Sequence, residues 1–371
     1  MVQKVLHIAK MTGVAGTEKH LLTLLPGLKG RGLDVRLIIL ADAAFPMDAY
    51  AAQMSGLGVP AEQMPIGGHV DAGLFGRLRR RIGEMAPDAV HTHLIHADLH
   101  GVIAARRAGV ARIFTTLHND DPFRGRWAIR MLQGYLWKRI TRAIAISEAI
   151  RRHAIEVQGA PPEKVVLIYH GIELAAAALV PGRPTMRFSL GLPADAVVFG
   201  SVCRLTEQKG IAEGLQAFAE VVRRVPGARY VIAGDGPLRA ALEARAKAAG
   251  LGDSVRFLGW RDDAAEVMTA FDVFLMPSRW EGFGLAAIEA MAAGLPVIAT
   301  RVTALPEIVA DGVTGRLVGA GDVATLVRAM LEACENPGLA RQMGMRGRER
   351  VATEFGAGRM IDRTLAVYQE S

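Results

Sequence analysis

Short apolar runs alternate with longer stretches of helical periodicity along the whole chain. In the first half VLHIA, VRLIIL, AVHTH, IFTTLH, AIAIS and VVLIYHG read as strands, several of them rich in β-branched residues. Helical patterns lie between them, as at 17–29 and 97–108. That alternation predicts a parallel sheet covered by helices on both faces. Residues 172–193 break it with an alanine run, then PGRP and GLP, and read as an interdomain linker. The alternation then restarts with AVVFGSVCRL, ARYVIAGDG, VRFLGW, VFLMPS, PVIAT and RLV. The expectation is two doubly wound α/β domains in series, 1–182 and 183–355. A last helix over 356–371 is expected to cross back to the first domain. In open parallel sheets ligands bind beyond the carboxyl ends of the strands, and a cleft between the two domains is expected to hold them.

Composition narrows the class. A chain of 371 residues that is 51% hydrophobic can bury two cores. Two cysteines, Cys203 and Cys334, make no disulfide framework and read as reduced thiols. No apolar run reaches the roughly 18 residues of a membrane span, and the opening MVQKVLHIAKM reads as a buried strand rather than a signal peptide. The expected location is the cytoplasm or the inner face of a membrane. Residues 1–180 hold 22 Lys and Arg against 15 Asp and Glu, and 181–371 hold 22 of each, so the net charge of +7 lies in the first half. It gathers at Arg77, Arg79, Arg80 and Arg81 and between Arg124 and Arg152. A solvated basic face, an anionic or lipid-linked acceptor and an anionic membrane surface all fit; nucleic acid fits least. Trp127, Tyr135 and Trp137, among these arginines, read equally as a lipid-facing stripe or as core.

The densest chemistry is SRWEGFGLAAIEAMAAGLPVIAT, residues 278–300. A strand ends near Pro277, a loop carries Glu281 with Gly282 and Gly284, and a helix starting near Leu285 carries Glu289. The glycines let backbone approach a ligand, and a helix N-terminus favours phosphate. Two carboxylates repel phosphate but accept hydrogen bonds from sugar hydroxyls. Gly234-Asp235-Gly236 reads as a tight turn and is not a dinucleotide fingerprint. Ser147 reads as a helix N-cap. His91 and His93 share one strand face, and His96 and His100 share a helix face. Zinc is one reading of these four and an acceptor-side or structural role is the other; no cysteine or HExxH pattern supports the metal.

Glu281, seven residues, then Glu289, within that segment, closely resembles the signature of retaining glycosyltransferases of family 4, which have the GT-B fold of two facing Rossmann-like domains. VCRLTEQKG, VIAGDGPLRAAL, VRFLGW and LPEIVADGVTGRLV match in order and spacing. VAGTEKHL, VHTHL, TTLHND and AISEAI match more loosely. The resemblance implies a metal-independent transfer of a hexose-type sugar from a UDP- or GDP-sugar, with no further cofactor, in cell-envelope or polysaccharide synthesis. It gives Glu281 the donor-sugar hydroxyls and Glu289 the ribose. The amides of Phe283, Gly284 and Leu285 would lie against the sugar and distal phosphate. Arg204 and Lys209 would stabilise the charge growing on the departing diphosphate. Leu258 and Gly259 would meet the base. His118 would lie near the reaction centre, and Gly16 would approach the diphosphate, although Ala15 stands where the family has a second glycine. An epimerase of the same shape, an inactive sugar-nucleotide binder and a nucleic-acid binder are the rival readings.

Overall fold

The structure is a computed structural model that describes residues 1–13, 16–67, 71, 73–119, 127–174 and 182–370. Ala15, Arg124 and the alanine run of the expected linker lie outside the described residues. The chain forms two compact units, Met1–Glu173 with Ala357–Ser371, and Leu174–Gly356.

The N-terminal unit runs β1 (Lys4–Met11), α1 (Gly16–Lys29), β2 (Asp34–Asp42), α2 (Asp48–Gly56), β3 (Ala61–Ile66), α3 (Leu74–Met85), β4 (Ala89–His93) and α4 (Ile95–Arg107). It continues through β5 (Arg112–Leu117), α5 (Trp127–Trp137), β6 (Arg142–Ala145), α6 (Glu148–Glu156) and β7 (Val165–Leu167). Its seven parallel strands lie in the order β3-β2-β1-β4-β5-β6-β7. Helices on both faces explain why the strands read as unbroken apolar runs; all five residues of β4 are buried. The strand β3 was not expected. Its sequence AEQMPI carries Glu62, Gln63 and Pro65, tolerable because β3 is an edge strand with little burial.

The C-terminal unit runs α7 (Arg183–Ser189), β8 (Val198–Val202), α8 (Ile211–Arg224), β9 (Arg229–Ala233), α9 (Arg239–Ala248), β10 (Val255–Gly259), α10 (Ala264–Met268) and β11 (Val273–Met276). After it come α11 (Leu285–Ala292), β12 (Val297–Thr300), α12 (Leu305–Ile308), β13 (Gly315–Val318), α13 (Val323–Glu335) and α14 (Pro337–Glu354). The strands are again parallel, ordered β10-β9-β8-β11-β12-β13. The expectation that 172–193 is all linker fails at α7. Pro184 sits in the first turn of that helix, and the buried Arg187 guanidinium donates to Asp272 at 2.6 Å and to the carbonyls of Ala194, Ala196 and Ala270. A guanidinium so fully bonded ties α7 to the C-terminal core.

The final helix α15 (Ala357–Gln369) returns to the N-terminal unit, where Ile361 and Tyr368 join the core of α1 and β1. Burying each such side chain contributes about 1.5–3 kcal/mol. Gln369 bonds both the N–H and the carbonyl of Val2. No helix among the described residues is long and apolar enough to cross a membrane.

Candidate functional site

In the C-terminal unit the strand order reverses between β8 and β11, which are neighbours. The chain leaves both strands at the same end of the sheet, so the loops 203–210 and 277–284 lie side by side. Backbone and side-chain bonds stitch them together: Arg279 N donates to Gln208 O at 2.7 Å, and Gln208 Nε2 donates to Trp280 O at 3.1 Å. Gly210 makes that approach possible. Its φ is +62°, and a Cβ there would sit 1.9 Å from Pro277 O, so any side chain would push the loops apart.

Two of the expected site residues meet in this crevice. Lys209 Nζ donates to Glu281 Oε1 at 2.6 Å, and Ser278 Oγ donates to the same oxygen at 2.7 Å. Ser278 is itself held by Thr300, whose hydroxyl donates to the Ser278 carbonyl. The Glu281 side chain is 5% exposed and that of Lys209 19%. A carboxylate so buried needs a counter-charge, and Lys209 supplies it. The resemblance implied separate partners for these two residues, phosphate and sugar; the structure pairs them. Arg204, by contrast, is exposed and makes no ion pair among the described residues.

Gly284 caps α11 with φ +112°, and a Cβ there would meet Leu305 Cδ2 at 2.8 Å. The capping residue therefore puts no side chain over the first N–H groups of α11, the arrangement that suits an anion. Phe283 is buried beside it, Leu285 opens α11, and half-buried Glu289 follows one turn later. Leu258 and Gly259 end β10, where Gly234 N donates to Gly259 O at 2.7 Å. The turn expected at Gly234-Asp235-Gly236 falls later in the chain: Gly234 bridges Gly259, and Arg239 N donates to Gly236 O at 3.0 Å, closing a turn over 236–239. Burial pushes the Cys203 thiol up to about 12 and that of Cys334 to about 11, so neither is a thiolate nucleophile near neutral pH.

The N-terminal unit gathers histidines at its own reversal, between β1 and β4. Register sets His7 opposite His91, and period two puts His93 on the same face. The His91 and His93 rings stack at 4.4 Å. His7 Nδ1 lies 2.9 Å from His93 Nε2, and His93 Nδ1 lies 3.1 Å from His118 Nε2. His118 is buried just past β5. His91 bonds Thr116 at 2.8 Å through Nε2 and Tyr368 through Nδ1. His20 of α1 stacks on His170 at 4.0 Å, 5.6 Å from the His118 ring. Burial holds His7 and His20 down at about 3, and holds His91, His93 and His170 well below the usual range; neighbouring imidazoles add to the shift in His7, His91, His93 and His170.

His7, His20 and His170 were not singled out in the sequence; their one local signal is a polar ring amid apolar residues. The zinc reading of His91, His93, His96 and His100 finds another grouping. His100 bonds the His96 carbonyl at 3.0 Å, as a helix residue does. Among the described residues the ring nitrogens of His7, His91 and His93 lie within 4.8 Å of one another, and all three rings make hydrogen bonds within the protein. Gly16 opens α1 and is exposed. Ser147 caps α6, accepting from Ile150 N at 3.1 Å. The aromatic stripe divides: Trp137 is core and donates to Gln158 O, whereas Trp127 is 76% exposed and Tyr135 41%.

Residues 182–350 match the family model described as Glycosyl transferases group 1, and residues 14–176 match the one described as Glycosyltransferase Family 4. The chain belongs to the family 4 glycosyltransferases. It is similar to the 2-deoxystreptamine glucosyltransferase of Streptomyces kanamyceticus, 29% identical, over 100% of this chain and 98% of that one. It is 28% identical to the UDP-Gal:alpha-D-GlcNAc-diphosphoundecaprenol alpha-1,3-galactosyltransferase of Escherichia coli, over 76% of this chain and 75% of that one. Among solved structures, Anabaena Alr3699/HepE in complex with UDP and glucose superposes with a TM-score of 0.88 at 21% identity, over 100% of both chains. The fold of this family 4 chain is GT-B, with parallel sheets of seven and six strands.

Proposed function

We propose that this glycosyltransferase moves a hexose-type sugar from a UDP- or GDP-sugar to an acceptor, with retention of configuration and without a metal. The observation that carries the reading is the crevice of the C-terminal sheet, where Lys209, Glu281 and Ser278 converge beside the glycine-capped start of α11. A diphosphate arriving there draws the Lys209 ammonium, and Glu281 is released to accept from sugar hydroxyls. Arg204 and Lys209 then neutralise the charge that grows on the leaving group, so the diphosphate needs no divalent cation. Glu289 accepts from the ribose, and Leu258 and Gly259 meet the base. Gly16 and His118 act from the N-terminal unit. The relatives' names support a nucleotide-sugar donor, since one is described as using UDP-Gal and one structure holds UDP and glucose.

Thermal unfolding with UDP, GDP and ADP, first without metal and then with Mg²⁺, tests the donor site. One nucleotide at a hundredfold excess over its Kd should stabilise the protein by about 2.7 kcal/mol without metal. Arg204→Ala and Glu289→Ala should each abolish most of that shift. No stabilisation by any of the three would leave an inactive binder as the better reading. Altered donor released in the absence of acceptor would favour the epimerase.

The acceptor side is proposed to be lipid-linked or anionic, placing the enzyme in the cytoplasm at a membrane's inner face, in polysaccharide or envelope synthesis. Helix α5 presents Trp127, Met131, Leu132 and Tyr135 to solvent, with exposed Arg130 among them. The protein should therefore co-sediment with vesicles containing anionic lipid and release as salt rises. Trp127→Ala with Met131→Ala should weaken this several-fold; unchanged sedimentation would remove α5 from the contact.

A further inference from the structure

The two oxygens of the Glu281 carboxylate have unlike surroundings. Oε1 accepts from Lys209 Nζ at 2.6 Å and from Ser278 Oγ at 2.7 Å. Oε2 accepts no hydrogen bond among the described residues, and it is not one of the fully enclosed polar atoms. A side chain that is 5% exposed therefore keeps one oxygen inside the protein and one open. The two donors on the inner oxygen differ in what a ligand does to them. Lys209 carries its charge on a long, flexible stem and is 19% exposed, so an arriving diphosphate can draw it away. Ser278 cannot follow. It is 1% exposed, it lies two residues past β11, and its carbonyl is held by Thr300 at the end of β12. Its hydroxyl has one proton and a carboxylate only accepts, so that proton lies on Glu281.

We propose that Ser278 is a positioning residue for the donor sugar: it pins Glu281 Oε1 inward, so that Oε2 stays turned to the sugar hydroxyls after Lys209 has moved to the diphosphate. This rests on the reading that Glu281 takes those hydroxyls. Without the Ser278 bond, Oε1 would be left bare in a buried place whenever Lys209 leaves, a costly state for an ionised oxygen. The carboxylate would then gain most by turning to keep Lys209, and the contact to the sugar is the one given up. With the bond in place the charge stays where it is, and one charge-assisted donor remains on it. Ser278 thus separates the two tasks of the crevice, holding phosphate and holding sugar, which the Lys209–Glu281 pair would otherwise set against each other.

The test compares affinities by calorimetry on the full chain without metal. The probes are UDP with UDP-glucose, and GDP with GDP-mannose. For the pair that binds, the Kd of the free nucleotide divided by that of the sugar nucleotide measures what the sugar adds. Any effect passed to the diphosphate through Lys209 enters both constants and cancels. Ser278→Ala should lower the ratio at least about fivefold, within the reach of one hydrogen bond to a charged group. The same substitution made in Glu281→Ala should change it less than about twofold, because no carboxylate is left to hold. Thermal midpoints of the variants set the working temperature, so that each ratio is read on folded protein. An unchanged ratio in Ser278→Ala would overturn the proposal. So would an equal loss in both backgrounds, since Ser278 would then act by a route that does not pass through Glu281. Failure of every nucleotide to bind the unaltered chain is a different result, and it would remove the donor site itself.

Discussion

Mild acid should unfold the N-terminal unit well before ordinary carboxylate titration begins. His7, His20, His91, His93 and His170 are all buried with their affinity for protons depressed, His7 and His20 to about 3. In the unfolded chain each regains a pKa near 6.5. Between those values the unfolded state binds more protons than the native state, so stability rises with pH and falls on acidification. Each such histidine costs about 1.4 kcal/mol per pH unit below roughly 6.5. Five of them cost on the order of 6 kcal/mol between pH 7 and pH 5.5. That is comparable to the whole stability of an ordinary domain. Urea midpoints read by circular dichroism should fall steeply over this interval. His20→Phe, which removes one imidazole and keeps the stack on His170, should flatten the slope. A midpoint unchanged from pH 7 to pH 5 would mean that these rings are not held neutral.

Lys209→Ala should cost the C-terminal unit about 3–5 kcal/mol as well as its activity, because it strands the buried Glu281 carboxylate with only the Ser278 hydroxyl. Glu281→Gln should be far milder for folding. The amide still accepts from Ser278, and the partly exposed Lys209 ammonium reaches water. Its effect should fall on transfer, at least about tenfold, since it weakens a contact to the sugar hydroxyls. Lys209→Ala combined with Glu281→Gln removes both charges and should be more stable than Lys209→Ala alone. Thermal midpoints for the three variants, with turnover, complete the cycle. A double variant as unstable as Lys209→Ala would show that the stranded carboxylate is not the source of the loss. Full turnover in Glu281→Gln would remove that residue from the donor site.

The amino-acid sequence by itself determined the fold class, because strand and helix periods are local properties. Runs such as VRLIIL and VFLMPS declare doubly covered parallel strands, and their spacing leaves room only for helical crossovers. Elements whose stability comes from remote partners were less legible. The edge strand β3 carries polar residues that only its position excuses, and α7 stands because Arg187 reaches the carbonyls of Ala194, Ala196 and Ala270. The residue types of the candidate site were also visible: Glu281 and Glu289 around a glycine loop, Arg204 and Lys209 after a strand, and His118 at the end of one. Their relations were not. Lys209 and Glu281 are 72 residues apart and meet only because β8 and β11 are neighbours at the reversal of strand order. His7 and His93 meet for the same reason across β1 and β4, and His91 finds Tyr368 only because the last helix returns to the first unit. Strand order is set by how crossovers pack over the whole sheet, so no local stretch of sequence records which strand ends become neighbours.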